Sequence, residues 1–273
     1  IVLRGFAASS PFTLADTNND VGGIALATGN TILNYGGAAA ATNPSAAIRI
    51  VDQWAANVSF NTINNNNGSG VNHVSTLRGI ITSGGTSASL NINNNGITLF
   101  GGGTTSQLDG ISNGAGSTAA GNSININNNT LVLNYASATG ATINGIVNSS
   151  SAATVNINGN NISAGSIIPG TGTHILISGG SPVNLNISGN TINNFSRSSA
   201  TTGTLRGIVI TSPTTTVINN NTISNLSYTN AASTGIIEGI YCLSSSIDVT
   251  ISNNSVNGLT AAGGIITGIR EFG

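Results

Sequence analysis

Ionisable side chains are so few in this sequence that each can be weighed for chemistry: 273 residues carry seven carboxylates, six arginines, two histidines, one cysteine and no lysine. The carboxylates are Asp16, Asp20, Asp52, Asp109, Glu238, Asp248 and Glu271. Glycoside hydrolysis usually needs two of them roughly 5–9 Å apart. Lyase chemistry on an acidic polymer commonly uses calcium and a strong base such as Arg or Lys. Only Asp16 and Asp20 lie close in sequence, and with Asn18 they reproduce the alternate oxygen positions that open a calcium loop. That loop is incomplete, because Val21 stands where the turn glycine belongs and Ala27 where a bidentate Glu would close it. A polar loop with local Asx turns is the preferred reading, and calcium is the one cofactor considered. No catalytic or other cofactor-binding residue is indicated, so the chain reads as a non-enzyme, with a polysaccharide lyase or hydrolase as the rival.

The remaining composition narrows the partners. Charged residues make up 5% of the chain with a formal net charge of −1, so phosphate backbones and anionic lipid meet no basic surface. No apolar run is long enough to cross a bilayer, since aliphatic residues alternate with Asn, Ser and Thr. Neither nucleic acid nor membrane insertion is expected. Cys242, with no second cysteine to pair with, reads as a small apolar filler.

Stepping along the chain, an asparagine is followed two positions later by an aliphatic residue eight times: Asn30/Ile32, Asn61/Ile63, Asn95/Ile97, Asn129/Leu131, Asn160/Ile162, Asn190/Ile192, Asn221/Ile223 and Asn254/Val256. The spacing of roughly 30–34 residues is that of a repeat architecture. Upstream of each asparagine a segment such as LNINNN or VNINGN alternates apolar and polar residues, the signature of a strand with one face inward. It places Val58, Ile92, Ile126, Ile157, Ile187, Ile218 and Ile251 in one core column. A third element carries a glycine before an isoleucine, at Gly79, Gly110, Gly145, Gly207, Gly239 and Gly268, with Ile80, Ile111, Ile146, Ile208, Ile240 and Ile269 inward. Three short strands per turn with no helix between them predict an all-β parallel β-helix solenoid, wound right-handed by analogy with parallel crossovers. About eight coils at the usual strand spacing give a rod roughly 40 Å long.

Within that frame the asparagines are expected to form a ladder through the stacked coils, Asn30, Asn61, Asn95, Asn129, Asn160, Asn190, Asn221 and Asn254. Asparagine tolerates the left-handed backbone of a sharp corner, and its amide can donate to one neighbour and accept from the next. Two opposite charges fall at matching places in successive coils, Arg78 with Asp109 and Arg206 with Glu238. They are expected as exposed stacked pairs on the outer face, each contributing about 0.2–1 kcal/mol. The THILI stretch lacks the glycine, so His174 fits either the glycine position or the aliphatic one before it. In both it reads as structural.

Residues 1–273 read as one domain, with 7–22 as a loop insertion in the first coil. The chain opens on IVLRGF and closes on IITGIREFG, inside the same repeated element, without the polar caps that a free solenoid needs. The expected partners are therefore flanking β-helix coils of the same or of identical chains. Surface polysaccharide is a further candidate, through exposed Trp54, Tyr35, Tyr135 or Tyr228, although these share no column. Ice binding is a lesser alternative, because the threonines scatter through loops such as SGGTSAS and SSATTGTL without an outward TxT file. Glycosylation-type triplets at Asn57, Asn67, Asn148, Asn161, Asn186 and Asn225 arise by chance in a chain this rich in Asn, Ser and Thr.

The iterated NxIxxNxI with its GI strand, as in LNISGNTINNFS and VTISNNSVNGL, resembles the right-handed parallel β-helix repeats of pectate-lyase-like proteins. The lysine-free, Asn/Thr/Gly-rich style resembles the giant secreted surface proteins and adhesins of Bacteroidota. The resemblance implies an extracellular or cell-surface location. It also implies a structural role as a rod, stalk or filament segment, with a polysaccharide-binding or polysaccharide-degrading β-helix as the alternative.

Overall fold

The computed structural model describes residues 1–5, 16–37, 44–85, 88–117, 121–136, 140–167, 171–243 and 248–272. Asn, Gly, Ser, Thr and β-branched residues disfavour helix. Accordingly, the helical structure among these residues is a single 3-10 turn at Leu26–Thr28, and the rest of the regular structure is strand.

The strands recur in threes. A middle coil runs through Leu77–Gly84, Ser89–Asn93 and Gly96–Gly101 before Leu108–Ala115 opens the next. Each strand pairs in parallel with its equivalents one coil away, which builds three sheets along the stack. The first has nine strands, from Val2–Arg4 to Ile265–Phe272, and the second has eight, from Asn19–Val21 to Asp248–Ser252. The third follows the same order from Thr31–Leu33 to Ser255–Asn257, with Thr260–Ala261 as an additional partner of Thr222–Tyr228. The molecule is a parallel β-solenoid of about seven turns, close to the about eight coils expected. Eight ladder asparagines enclose one interval fewer than their number.

Register is what turns this stack into a core. In the second sheet Val21, Val58, Ile92, Ile126, Ile157, Ile187, Ile218 and Ile251 pair in one file. In the third, Ile32, Ile63, Ile97, Leu131, Ile162, Ile192, Ile223 and Val256 do the same. The first sheet aligns Ile48, Ile80, Ile111, Ile146, Ile177, Ile208, Ile240 and Ile269. A middle coil thus points Ile80, Ile92 and Ile97 at one another, all nearly inaccessible. Fully burying each such side chain contributes roughly 1.5–3 kcal/mol before the entropy of ordering is counted. In the last coil Ile269 is 47% exposed, and Ile251 and Val256 are only partly buried.

In the first sheet strict alternation fails at the glycine. In Leu77–Gly84 the side of the chain that is buried includes Leu77, Gly79 and Ile80, while Arg78 is half-buried. A Cβ on Gly79 would lie 2.7 Å from Ile97 Cγ2 and 2.6 Å from the Gly110 carbonyl oxygen, so this position must be bare for the first sheet to approach the third. The THILI segment takes the aliphatic alternative: His174 pairs with Ile143 and Leu205, Leu176 occupies the glycine position, and Ile177 continues the inward file.

The expected insertion at 7–22 ends sooner than its stated bound. Residues 6–15 lie outside the described residues, but Asn19–Val21 already form the first strand of the second sheet, paired with Ala56–Val58.

Candidate functional site

The eight asparagines stand where the second sheet turns into the third, and their amides form one continuous file. Each Nδ2 donates to the Oδ1 of the next asparagine at 2.9–3.0 Å, through Asn30, Asn61, Asn95, Asn129, Asn160, Asn190, Asn221 and Asn254. The second Nδ2 hydrogen of the middle rungs goes to a carbonyl of the preceding coil, as from Asn129 to Ile92 O at 2.8 Å and from Asn160 to Ile126 O at 2.8 Å. Each Oδ1 also accepts the backbone N–H of the previous rung, as Asn160 Oδ1 does from Asn129. The amide of a middle rung therefore fills two donor and two acceptor places while fully buried, which removes the penalty of hiding a polar group.

One reason offered for asparagine at the corner belongs to its neighbour instead. None of the ladder residues has a positive φ; the left-handed turn falls one residue earlier, on Phe60, Asn94, Asn128, Asn220 and Asn253 and on Gly159 and Gly189. The ladder asparagine is left free to be selected for its amide alone.

Two further amide files were not expected. On the outer face of the second sheet Asn186, Asn156, Asn125 and Asn91 are linked at 2.8–2.9 Å, each Nδ2 donating to the lower-numbered coil, opposite in sense to the inner ladder. Their signal was the same Asn in the middle of LNI, INI, VNI and LNI. At the end of the first-sheet strands Thr82, Asn113 and Asn148 are linked inside the core, and Asn148 Nδ2 closes on Gly179 O at 2.9 Å.

The stacked charges are brought together as expected, but their acids are buried. Arg78 Nε lies 3.1 Å from Asp109 Oδ2, and Asp109 is inaccessible because Gln107 and Asn144 also donate to it. Glu238 is equally buried, held by Arg206 on one oxygen and by Arg270 at 3.2 Å on the other. Exposed pairs of small worth are thus corrected to buried carboxylates under partly exposed guanidinium lids, in which losing one partner is costly. Arg206 also stacks on Tyr241, 4.0 Å from the ring centre, and Arg270 on Phe272 at 4.3 Å. Arg270 escaped the sequence reading because the pairing was sought between two coils and not three.

The calcium candidates serve the chain itself. The carbonyl of Asp16 accepts the Trp54 N–H at 2.9 Å, Asn18 has a left-handed φ of 59°, and Asp20 Oδ1 accepts from Gly23 N at 2.9 Å and Asn57 Nδ2 at 2.7 Å. Among the described residues no three His, Cys, Asp or Glu side chains gather in a group able to hold a metal.

The proposed sugar-contacting aromatics divide. Tyr135 and Tyr228 are buried, their hydroxyls donating to Ser106 O at 2.7 Å and Gly203 O at 2.9 Å, and burial pushes both phenols up to about 12. Tyr35 donates to Arg78 O at 3.0 Å, and burial raises its phenol as well. Trp54 is half-buried. His174 is 3% exposed, and burial, with the nearby Arg197 charge, holds its imidazole well below 6.5. Arg197 is itself buried, donating to Gly172 O at 2.9 Å and Thr201 Oγ1 at 3.1 Å. Cys242 is buried, and desolvation ahead of the Glu271 charge pushes its thiol up to about 12.

Threonines are less scattered than the sequence suggested. Thr31, Thr62, Thr130, Thr191 and Thr222 share one outward file of the third sheet, interrupted by Gly96 and Asn161. The neighbouring outward file carries Asn64, Thr98, Val132, Ser163, Asn193 and Ser224, and its Thr98 follows Gly96 of the first file, so no TxT array results among the described residues.

Fold and interior together define a parallel β-solenoid with a buried asparagine ladder. Comparison of the chain with protein-family models, with curated proteins and with solved structures finds no match in any of the three.

Proposed function

We propose that this chain is a rigid structural segment, a rod, stalk or filament unit of an extracellular or cell-surface protein, and that it performs no catalysis. The observation that carries the reading is the asparagine ladder, because it runs in parallel with three unbroken aliphatic files and leaves no described coil without main-chain and side-chain ties to the next. Such a body resists local opening, and its low charge limits nonspecific ionic attachment. Two of the seven acids, Asp109 and Glu238, are occupied in ion pairs with arginines of neighbouring coils, which favours structural use of the scarce charges. The composition and repeat style further support kinship with giant surface proteins and adhesins of Bacteroidota built on pectate-lyase-like repeats.

Flanking coils of the same or of identical chains are the proposed partners, since every described coil pairs in parallel with the next through the same three sheets and the same ladder. Cryo-electron microscopy of the purified chain tests the reading. Rods in which the β-helix continues from one copy to the next are expected. A monodisperse particle that turns over a pectin-like or alginate-like polymer would overturn it.

A further inference from the structure

Six asparagines in this chain precede a glycine: Asn67, Asn95, Asn113, Asn144, Asn158 and Asn257. Such a pair can react with itself, because glycine has no side chain to hinder its own amide nitrogen. That nitrogen, on losing its proton, attacks the asparagine Cγ. A new N–Cγ bond closes a five-membered succinimide as the Cγ–Nδ2 bond breaks and ammonia leaves with the proton. Water then opens the ring at either carbonyl, giving aspartate or isoaspartate. One water is consumed, one ammonia is released, and nothing is oxidised or reduced.

The fold treats the six pairs very differently. Asn95 is buried with both amide hydrogens bonded, to Val58 O and Asn129 Oδ1, and the Gly96 N–H is committed to Asn61 O at 2.9 Å. Asn113 and Asn144 are buried within Leu108–Ala115 and Ile143–Asn148, their amides donating to Asn148 and Asp109. Asn158 is half-buried, its Oδ1 accepts from Ser188 N, and the Gly159 N–H is held by Ser188 O at 2.8 Å. Asn257 is exposed but lies in a paired strand with its Nδ2 on Ser255 Oγ at 3.2 Å.

Asn67 alone combines every permissive feature. It is exposed, lies outside any strand, and makes no side-chain hydrogen bond among the described residues. Gly68 has a φ of +103° with open space within 4 Å of where a side chain would stand, and its N–H makes only a long 3.3 Å contact with Asn66 Oδ1. We propose that Asn67 is a site of spontaneous deamidation through the Gly68 nitrogen, and that the solenoid suppresses the same reaction at the four interior pairs. The added carboxylate takes the formal net charge from −1 to −2, and isoaspartate lengthens the backbone of the loop by one methylene.

The arginines make the experiment direct. With no lysine in the chain, trypsin yields residues 50–78 with Asn67 as their one Asn–Gly pair, 79–197 with the four interior pairs, and 207–270 with Asn257. Folded protein and protein held in denaturant are incubated side by side at mildly alkaline pH, and acidic variants are followed by isoelectric focusing and peptide mass. In the folded protein, conversion in 50–78 is expected to exceed that in 79–197 by roughly tenfold or more, the factor that even modest local protection gives. In denaturant that preference disappears. The variant Asn67→Gln, shown to be folded by circular dichroism, is expected to lose the early acidic species. Conversion in 79–197 keeping pace with 50–78 in the folded protein, or an unchanged acidic species in Asn67→Gln, would overturn the proposal.

Discussion

At the scale of single residues, the middle rungs of the ladder have every amide place filled. Asn129 Oδ1 accepts from both the N–H and the Nδ2 of Asn95, and its own Nδ2 fills Asn160 Oδ1 and Ile92 O. Asn129→Ala is expected to cost about 2–4 kcal/mol in denaturant unfolding, because several buried groups lose partners at once. Asn129→Asp should cost more at neutral pH, since it sets carboxylate oxygens against two acceptors; an Asp as well tolerated as Asn would contradict the donor direction. For the ion pairs, Arg78→Ala leaves the buried carboxylate to Gln107 and Asn144 alone and should cost about 1–3 kcal/mol, whereas Arg78→Lys keeps a cation over it and should cost less. A thermal-shift comparison of the two variants checks the order. His174 gives a pH signature. Its folded pKa lies below the unfolded 6.5, so the unfolded chain binds the proton first and stability falls as pH drops below about 6.5, by up to about 1.4 kcal/mol per pH unit. His174→Leu, which puts a leucine between Ile143 and Leu205, should flatten that acid slope in urea titrations run at stepped pH.

At the scale of elements, most of the strand pattern was legible because period two is written directly in segments such as LNINNN and VNINGN. The break at the glycine was not. Ile80 was expected inward and is; that Leu77 and Gly79 lie on the buried side as well is what alternation could not give, and the bare Gly79 is required by the closeness of Ile97. Depth was illegible for a related reason: a repeat reveals which face a residue takes and not what covers it, so Asp109 and Glu238 read as exposed until Asn144 and Arg270 from the adjoining coils closed over them. The glycine itself gives an element-scale prediction. A Cβ at Gly110 would stand 2.3 Å from Leu131 Cδ2 and 2.6 Å from Gly145 O, and the latter is backbone that cannot step aside. Gly110→Ala is expected to lose about 2–4 kcal/mol or to fail to fold, read by soluble yield and circular dichroism.

At the scale of the whole molecule, the eightfold asparagine spacing was enough to reveal a solenoid, since a constant period admits few other bodies. The outer amide file was missed because it covers only part of the stack, stopping where Asn186 meets Val217, and the threonine file because it is interrupted; only the register of the sheets lines their members up. The last glycine of the series tests continuation of the stack. At Gly239 a Cβ would strike Gly268 O of the following coil at 2.5 Å, whereas at Gly268 nothing lies within 4 Å. Gly268→Ala should therefore fold with stability within about 0.5 kcal/mol of the parent. It should nevertheless fail to join copies end to end in electron micrographs; joined rods of normal length would argue against continuation at that face.

The inner ladder also gives the molecule a direction. Every rung donates toward the higher-numbered coil, so the file begins at Asn30 with an oxygen to fill and finishes at Asn254 with hydrogens to offer. Like ends brought together would oppose hydrogen to hydrogen or oxygen to oxygen. Any fibre assembled from this unit would consequently be a one-way track, with two chemically different tips that add and shed subunits at unequal rates.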